Sequence, residues 1–161
     1  MIVEKIVDST YREEMGINHC RKSARAYIVQ DDKVLLMYST FEDVYTFPGG
    51  GLESGETLEQ CVIRECKEET GFIVEPEEAV VQVDEYYYDH LFQGVYFICK
   101  IVGTCEKHYT PQELKHGLQS VWITENHCKE LFEHYFHKHK DEELKGESLR
   151  ELTALRFLCH F

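Results

Sequence analysis

Three glutamates near the middle of the chain have the spacing of a metal-binding set. Glu65, Glu68 and Glu69 lie in the segment Thr57–Thr70, whose apolar residues recur with helical periodicity. At about 100° per residue, Glu69 projects about 20° and Glu65 about 60° from the apolar direction. Ionised carboxylates facing a core are costly, and at this spacing they also repel one another. A divalent cation would relieve both costs, because Mg²⁺ takes hard oxygen ligands.

The same glutamates have a second interpretation, as surface residues of a solvated helix in a chain with 30 acidic residues. The helix alone does not separate the two interpretations, but the residues before it favour the metal. Gly49, Gly50 and Gly51 can bring backbone amides close to a ligand, because glycine adopts positive φ without steric cost. Glu56 adds a fourth acid just before the helix.

The elements that must position these residues can be read from capping signals and periodicity. Thr57 with Gln60 fits a capping box at the helix start, and Gly71 stands where a left-handed C-terminal cap belongs. The other predicted elements are hairpin strands Ala24–Gln30 and Val34–Tyr38, an extended piece Tyr45–Phe47, strand near residues 74, 80–83, 86–88, 95–102 and 120–123, and helices from about His127 to His139 and from Ser148 to Leu158. Strands on both sides of a central helix predict a mixed α/β or α+β domain.

Length and composition predict a single domain over residues 1–161, with a strand in 1–22 and a helix in 148–161 as candidate additions to it. No run approaches the roughly 18 apolar residues that a membrane span needs, and the N-terminus lacks the apolar stretch of a secretory signal. The seven cysteines are scattered and form no CxxC pair. These features predict a cytoplasmic protein with reduced thiols and no membrane partner.

The formal net charge of −13 is unfavourable for binding a nucleic-acid backbone, which requires a basic surface. It does not exclude a small phosphorylated substrate, because divalent cations can bridge acidic residues and phosphates. We therefore expect a small-molecule ligand rather than a nucleic acid.

One stretch combines these features in a known order. The string GGLESGETLEQCVIRECKEETGF, from Gly50 to Phe72, matches the pattern of a glycine, five residues, a glutamate, seven residues and R-E-U-x-E-E-x-G-U, in which U is apolar. Cys66 is a mild departure at a position that is usually aliphatic. The preceding residues Tyr45–Gly49 are similar to an aromatic-x-apolar-Pro-Gly lead-in. Over these residues the chain resembles the Nudix hydrolase family.

The resemblance implies a fold, a chemistry and a set of roles. The implied fold is an α/β/α sandwich with a mixed central sheet. The implied activity is Mg²⁺-dependent cleavage, with Mn²⁺ as a substitute, of a diphosphate linkage in a nucleoside triphosphate, a dinucleoside polyphosphate or an ADP-sugar. The implied site consists of metal-binding Glu56, Glu65, Glu68 and Glu69, with Glu65, Glu68 and Arg64 as the catalytic set. The general base is Glu65 or a residue outside the box, and Arg64 orients a box glutamate.

Substrate contacts outside the box carry competing interpretations. The glycines Gly49, Gly50 and Gly51 are candidate substrate-binding backbone. Arg25 is a candidate phosphate contact or a member of a surface ion pair. Tyr87 could stack on a base, although alternating tyrosines also occur as sheet packing. Glu113 resembles a position from which some relatives supply an extra metal ligand or base.

Two further alternatives stay open. A catalytically silent Nudix-fold sensor would bind a nucleotide without hydrolysing it, but such proteins often lose a box glutamate and none is missing here. The apolar stripe of the last predicted helix, Leu149, Leu152, Leu155 and Leu158, must be covered either by its own domain or by a second copy in a homodimer.

Overall fold

Two β-sheets lie between helices on opposite faces. The structure is a computed structural model that describes residues 1–109 and 111–159, without the side chains of residues 112 and 113. Its elements are β1 (Ile2–Val7), β2 (His19–Tyr27), β3 (Val29–Gln30), β4 (Lys33–Ser39), β5 (Val44–Thr46), β6 (Gly49–Gly51), α1 (Leu58–Thr70), β7 (Phe72–Tyr87), β8 (His90–Thr104), α2 (Pro111–His116), β9 (Leu118–Thr124), α3 (Glu125–Lys138) and α4 (Glu142–Leu158). No helix in the described part of the chain is long and apolar enough to cross a membrane.

The larger sheet has five strands in the order β1-β7-β8-β2-β6, with both parallel and antiparallel neighbours. The smaller sheet is antiparallel: β4 pairs with β9 along its whole length and with β3 and β5 near its two ends. The predicted strand Ala24–Gln30 contributes to both sheets, as β2 and β3. Its hairpin turns at Asp31 and Asp32, whose φ angles of 51° and 58° suit a two-residue loop.

Alternation along the strands divides the core between the two faces of the sheets. Ala24, Ala26 and Leu35 face α1. There they join a cluster with the helix residues Cys61 and Val62.

The neighbouring strand residues point the other way. Tyr27, Val34 and Leu36 belong to a second cluster, which includes Phe132 of α3 and Leu155 of α4. Helices therefore cover both sides of the sheets, and the predicted α/β/α sandwich with a mixed central sheet is confirmed.

Local signals set the ends of α1, the helix that carries the glutamates. The Gln60 amide donates to Thr57 Oγ1 at 3.2 Å and the Thr57 amide donates to Gln60 Oε1 at 2.9 Å, which completes the capping box. Gly71 ends the helix at φ 74°, and a side chain there would put a Cβ 2.8 Å from the Cys105 carbonyl oxygen. The start and the end of this helix therefore lie where the sequence predicts them.

The last helix, α4, begins at Glu142 rather than at the predicted Ser148. Asp141 caps it by accepting hydrogen bonds from the next helical amides. Gly146 weakens the helical pattern in the sequence. In the structure it lies within α4, because a Cβ at this position would stand 2.1 Å from Glu85 Oε1 and only glycine leaves room for that carboxylate. The helix buries the leucines Leu152, Leu155 and Leu158 in the core of the same chain. Three of the four leucines of the predicted stripe thus pack on their own domain, and Leu149 is half-buried.

Two buried ion pairs join α4 to the large sheet. Arg150 bonds to Glu85 of β7, and Arg25 of β2 lies with its Nε 3.4 Å from Glu151 Oε1. Glu151 is fully buried. Burial raises the pKa of its carboxyl to about 7, although Arg25 and Arg150 act in the opposite direction. The helix therefore contacts the large sheet through charged side chains as well as through leucines.

Replacing Leu155 with alanine should lower the free energy of unfolding by about 2–5 kcal/mol, because it removes buried methyl groups and leaves a cavity. Urea unfolding followed by circular dichroism measures this loss. Leu114→Ala is the control: Leu114 is exposed on α2, and its truncation should cost less than about 0.5 kcal/mol. Equal losses at the two positions would contradict the assignment of Leu155 to the core.

Glu151 should make stability depend on pH. Because its pKa rises from 4.5 to about 7 on folding, the folded state binds the proton more tightly, and stability falls as pH rises between these values. Relative to Glu151→Gln, the wild type should lose up to about 3 kcal/mol between pH 4.5 and pH 7. Urea unfolding of both proteins across this window tests it. If the difference in the free energy of unfolding between the two proteins did not change with pH, Glu151 would not titrate in this window.

Candidate active site

The glutamates of the box lie around strand β6 and the adjacent side of α1. Glu65 and Glu69 are buried, as their positions on the helical wheel predict, whereas Glu56 and Glu68 are half-buried. The side chain of Glu68 is 32% exposed against 11% for that of Glu65. Glu68 is therefore the more accessible of these two carboxylates.

Arg64 gathers three of these carboxylates around one guanidinium. It forms a bidentate pair with Glu56, with Nε 2.8 Å from Oε1 and Nη2 3.0 Å from Oε2. Its Nη1 donates to Glu65 Oε1 at 2.8 Å and to Glu68 Oε2 at 3.4 Å. A planar fork makes such contacts to several acceptors possible, and lysine could not reproduce them. The hydrogen bonds from Arg64 lower the pKa of the Glu56 carboxyl to about 2, so this carboxylate is ionised at neutral pH.

The backbone of β6 contacts the two buried glutamates. The amide of Gly49 donates to Glu69 Oε2 at 2.9 Å. A Cβ at Gly50 would stand 2.3 Å from Glu65 Oε1. Gly49 itself has φ 144°, and its Cβ would collide with the Ala24 carbonyl oxygen at 2.1 Å. Both positions therefore need glycine, because the carboxylates and strand β2 approach the backbone closely.

This arrangement fits a hard divalent cation. Three carboxylates pair with Arg64 and a fourth, Glu69, accepts from the Gly49 amide beside them, and carboxylate oxygens are the ligands that Mg²⁺ prefers. Glu65, Glu68 and Glu69 would hold the ion, with Glu56 kept beside them by Arg64. The glycine backbone leaves room next to Glu65 that any side chain would fill.

A second group of potential ligands lies at the start of β2 and β8. Among the described residues, ligand atoms of His19, Asp89 and His90 lie within 4.8 Å of one another. The two imidazole rings stack, with centroids 4.6 Å apart and an interplanar angle of 29°. Stacking of the rings and the ion pair of His90 with Asp89 account for the proximity of these groups without a metal.

A cavity of about 470 Å³ lies between helix α4 and the starts of β2 and β8, and Arg21 is the lining residue that reaches towards the glycine strand. Arg21 connects the cavity and the strand, because its Nη2 lies 3.2 Å from where a Cβ on Gly51 would stand, and it also lines the cavity. Tyr87 stacks on His90 in the cavity wall, with ring centroids 5.0 Å apart. Phe92 lies between the guanidinium groups of Arg21, at 5.8 Å from the ring centroid, and Arg150, at 4.1 Å. The cavity thus offers cations and ring faces, together with the carboxylates of Glu143 and Glu147 from α4.

The predicted residues outside the box lie in three different places. Tyr87 lines the cavity. Arg25 is turned into the core beneath α4, where Nη1 donates to the Phe47 carbonyl at 2.9 Å and to the Gly49 carbonyl at 3.4 Å. Its ion pair is therefore buried rather than on the surface. The side chain of Glu113 lies outside the described residues.

The sequence interpretation did not include Arg21, Phe92 or Glu151. A partial signal for Arg21 was present: Ser23 and Arg25 alternate with Ala24 and Ala26, and Arg21 lies two residues before Ser23, although Lys22 interrupts the alternation. Phe92 and Glu151 carry no comparable local signal.

Comparison with known proteins places the chain in a family. A model of the NUDIX domain matches residues 20–158. The ADP-ribose pyrophosphatase of Methanocaldococcus jannaschii is 47% identical over 49 residues, which are 29% of each chain. The chain spans less than half the length of the curated relatives that it matches.

Solved structures share the fold. A NUDIX hydrolase from Nitrosomonas europaea superposes with a TM-score of 0.59 at 21% identity, covering 83% of this chain and 88% of the other. An ADP-ribose pyrophosphatase from Streptococcus suis gives 0.50 at 22% identity, covering 66% and 75%. Because the family match spans most of the chain and includes the complete box, the resemblance seen in the sequence is confirmed and the chain belongs to the Nudix family.

Proposed function

We propose that this chain is a divalent-metal-dependent pyrophosphohydrolase that cleaves the diphosphate linkage of a nucleoside diphosphate joined to a second group. The observation that carries the proposal is the arrangement around Arg64, which holds Glu56, Glu65 and Glu68 beside a glycine strand that binds Glu69. Relatives named as ADP-ribose pyrophosphatases support ADP-ribose as the first substrate to test. Dinucleoside polyphosphates and nucleoside triphosphates belong to the same chemical class.

The residues of the site would divide the reaction between them. When bound, Mg²⁺ would neutralise charge on the diphosphate oxygens and lower the pKa of a water. Water adds to one phosphorus, the bridging P–O bond breaks, and a carboxylate of the site accepts the proton that the water releases. Arg64 keeps the carboxylates oriented throughout, and Glu65 is a candidate base. The products would be a nucleoside monophosphate and the phosphorylated second group.

We place the nucleoside end of the substrate in the cavity that Arg21 lines. The cavity has a volume in the usual range for small-molecule sites of about 300–1,000 Å³. Arg21 lies beside Gly51, whose carbonyl accepts a hydrogen bond from Arg64 of the carboxylate cluster, and Tyr87 can stack on a base. A small nucleotide is therefore the proposed partner, in line with the acidic charge of the chain.

Replacing Glu68 with glutamine should lower kcat by roughly 10²–10⁴-fold, because it removes a charge that holds the metal without changing the size of the side chain. The assay incubates the protein with excess Mg²⁺ and ADP-ribose, a diadenosine polyphosphate or ATP, and measures the mononucleotide and phosphate products. Glu59→Gln is the matched control, since Glu59 is exposed in the first turn of the same helix.

Near-wild-type turnover in Glu68→Gln would reject the assignment of this carboxylate. If no nucleotide is hydrolysed by the wild type but one raises its melting temperature, the sensor alternative replaces the hydrolase.

Replacing Arg21 with glutamine should raise KM by roughly 10–100-fold with a much smaller change in kcat, because a charge-assisted hydrogen bond to the bound phosphate is lost in ground and transition states alike. Steady-state kinetics with the best substrate of the panel measures both constants. Arg12→Gln serves as the control, because Arg12 is exposed and donates to the Ser9 and Tyr11 carbonyls. An unchanged KM in Arg21→Gln would show that the nucleotide does not bind in this cavity.

A further inference from the structure

The buried ion pair between Arg25 and Glu151 touches strand β6 from the face of the sheet opposite α1. Arg25 directs Nη1 at the carbonyl oxygens of Phe47 and Gly49, at 2.9 and 3.4 Å. Glu151 reaches it from α4 and is fully buried. The carboxylate cluster lies on the other side of the same strand, so the pair and the cluster share one piece of backbone.

The pair is poorly suited to a purely stabilising role. Two charges taken from water are costly to bury, and apolar side chains of similar volume often serve stability as well or better. In the described part of the structure, neither carboxylate oxygen of Glu151 makes a well-formed hydrogen bond, and neither does Arg25 Nε, although the backbone of Phe47 is near enough to lower the pKa of the Glu151 carboxyl. The hydrogen bonds that Arg25 does make go to the backbone that leads into β6. What the pair provides is therefore the placement of that backbone.

The contacts continue without a gap to the carboxylates. Arg25 donates to the carbonyl of Gly49, and the amide of Gly49 donates to Glu69 at 2.9 Å. The next residue, Gly50, abuts Glu65 closely enough that a Cβ would overlap its carboxylate. A shift of β6 of a few tenths of an ångström would therefore move both buried glutamates.

We propose that Arg25 and Glu151 are positioning residues, which hold β6 so that Gly49 and Gly50 keep Glu69 and Glu65 in the geometry that binds a divalent metal. Glu151 orients the guanidinium of Arg25, and Arg25 acts on the strand rather than on the substrate. The expected change in kcat rests on the proposed function. The expected change in metal affinity does not, because it is argued from the contacts of Arg25 with β6 and of β6 with the glutamates.

The test is a double variant, Arg25→Met with Glu151→Met, which removes both charges and leaves neither of the two unpaired. Free Mn²⁺, measured by its electron paramagnetic resonance signal during titration, reports metal affinity without requiring a substrate. We expect the Kd for Mn²⁺ to rise by about 10–100-fold, the range for residues that support metal ligands. We expect kcat to fall while KM for the nucleotide changes less, with the melting temperature kept or raised.

Two further variants separate positioning from stability. Leu158→Ala removes a buried side chain from the last turn of α4, and should lower the melting temperature while the Kd for Mn²⁺ and kcat stay at wild-type values below that temperature. Arg25→Lys keeps the charge but lacks the planar fork, so it should stay folded and bind Mn²⁺ more weakly than the wild type. Arg25→Lys therefore supplies the answer if the double variant does not fold.

Wild-type Mn²⁺ affinity in a folded Arg25→Lys or double variant would overturn the positioning role. So would a loss of affinity in Leu158→Ala equal to that in the double variant, because it would trace the effect to general loosening of α4. If the wild type hydrolyses no nucleotide, the proposed function fails, and the Mn²⁺ titrations still decide the positioning role.

Discussion

Repulsion between carboxylates that share a partly buried place is the constraint on which the rest of this structure depends. Arg64 offsets part of this repulsion by bonding to three glutamates, which requires that the helix place them around its guanidinium. The capping box starts the helix directly after Glu56. The helix ends at Thr70, one residue after Glu69, with Gly71 as its C-terminal cap. The proposed divalent cation would neutralise further negative charge at this place.

The sheets supply the second half of the arrangement. Because side chains alternate along β2, Ala24 packs under α1 while Arg25 points to α4. One face of β2 therefore contacts α1 and the other contacts α4, while β2 itself pairs with the glycine strand β6. The acidic cluster lies against a short strand, β6, which Glu65 and Glu69 of α1 contact from one side. Arg25 of β2, paired with Glu151 of α4, contacts it from the other side.

Sequence reasoning succeeded where a structure is decided locally. The capping box, the left-handed Gly71 and the hairpin at Asp31 each involve neighbours in the chain, so residue types were sufficient. It was incomplete where distant residues decide. The sequence predicts separate strand pieces near residues 74, 80–83 and 86–88, whereas β7 runs through Pro76 as one strand with register shifts. Glu151 could not be distinguished from other acids of the chain, since its partner Arg25 is brought to it only by the tertiary fold.

The contact between β2 and α4 also bears on how the molecule reaches its final form. It closes a loop from residue 25 to residue 151, and contacts so distant in sequence are formed only after a large loss of chain entropy. Helix α1 and its hydrogen-bonded caps can form from neighbouring residues much earlier. A partly folded chain could thus contain the whole signature helix and still lack the ordered glycine strand. In such a molecule, secondary structure would be recovered before metal affinity, and the interval between them would be set by the docking of the last helix.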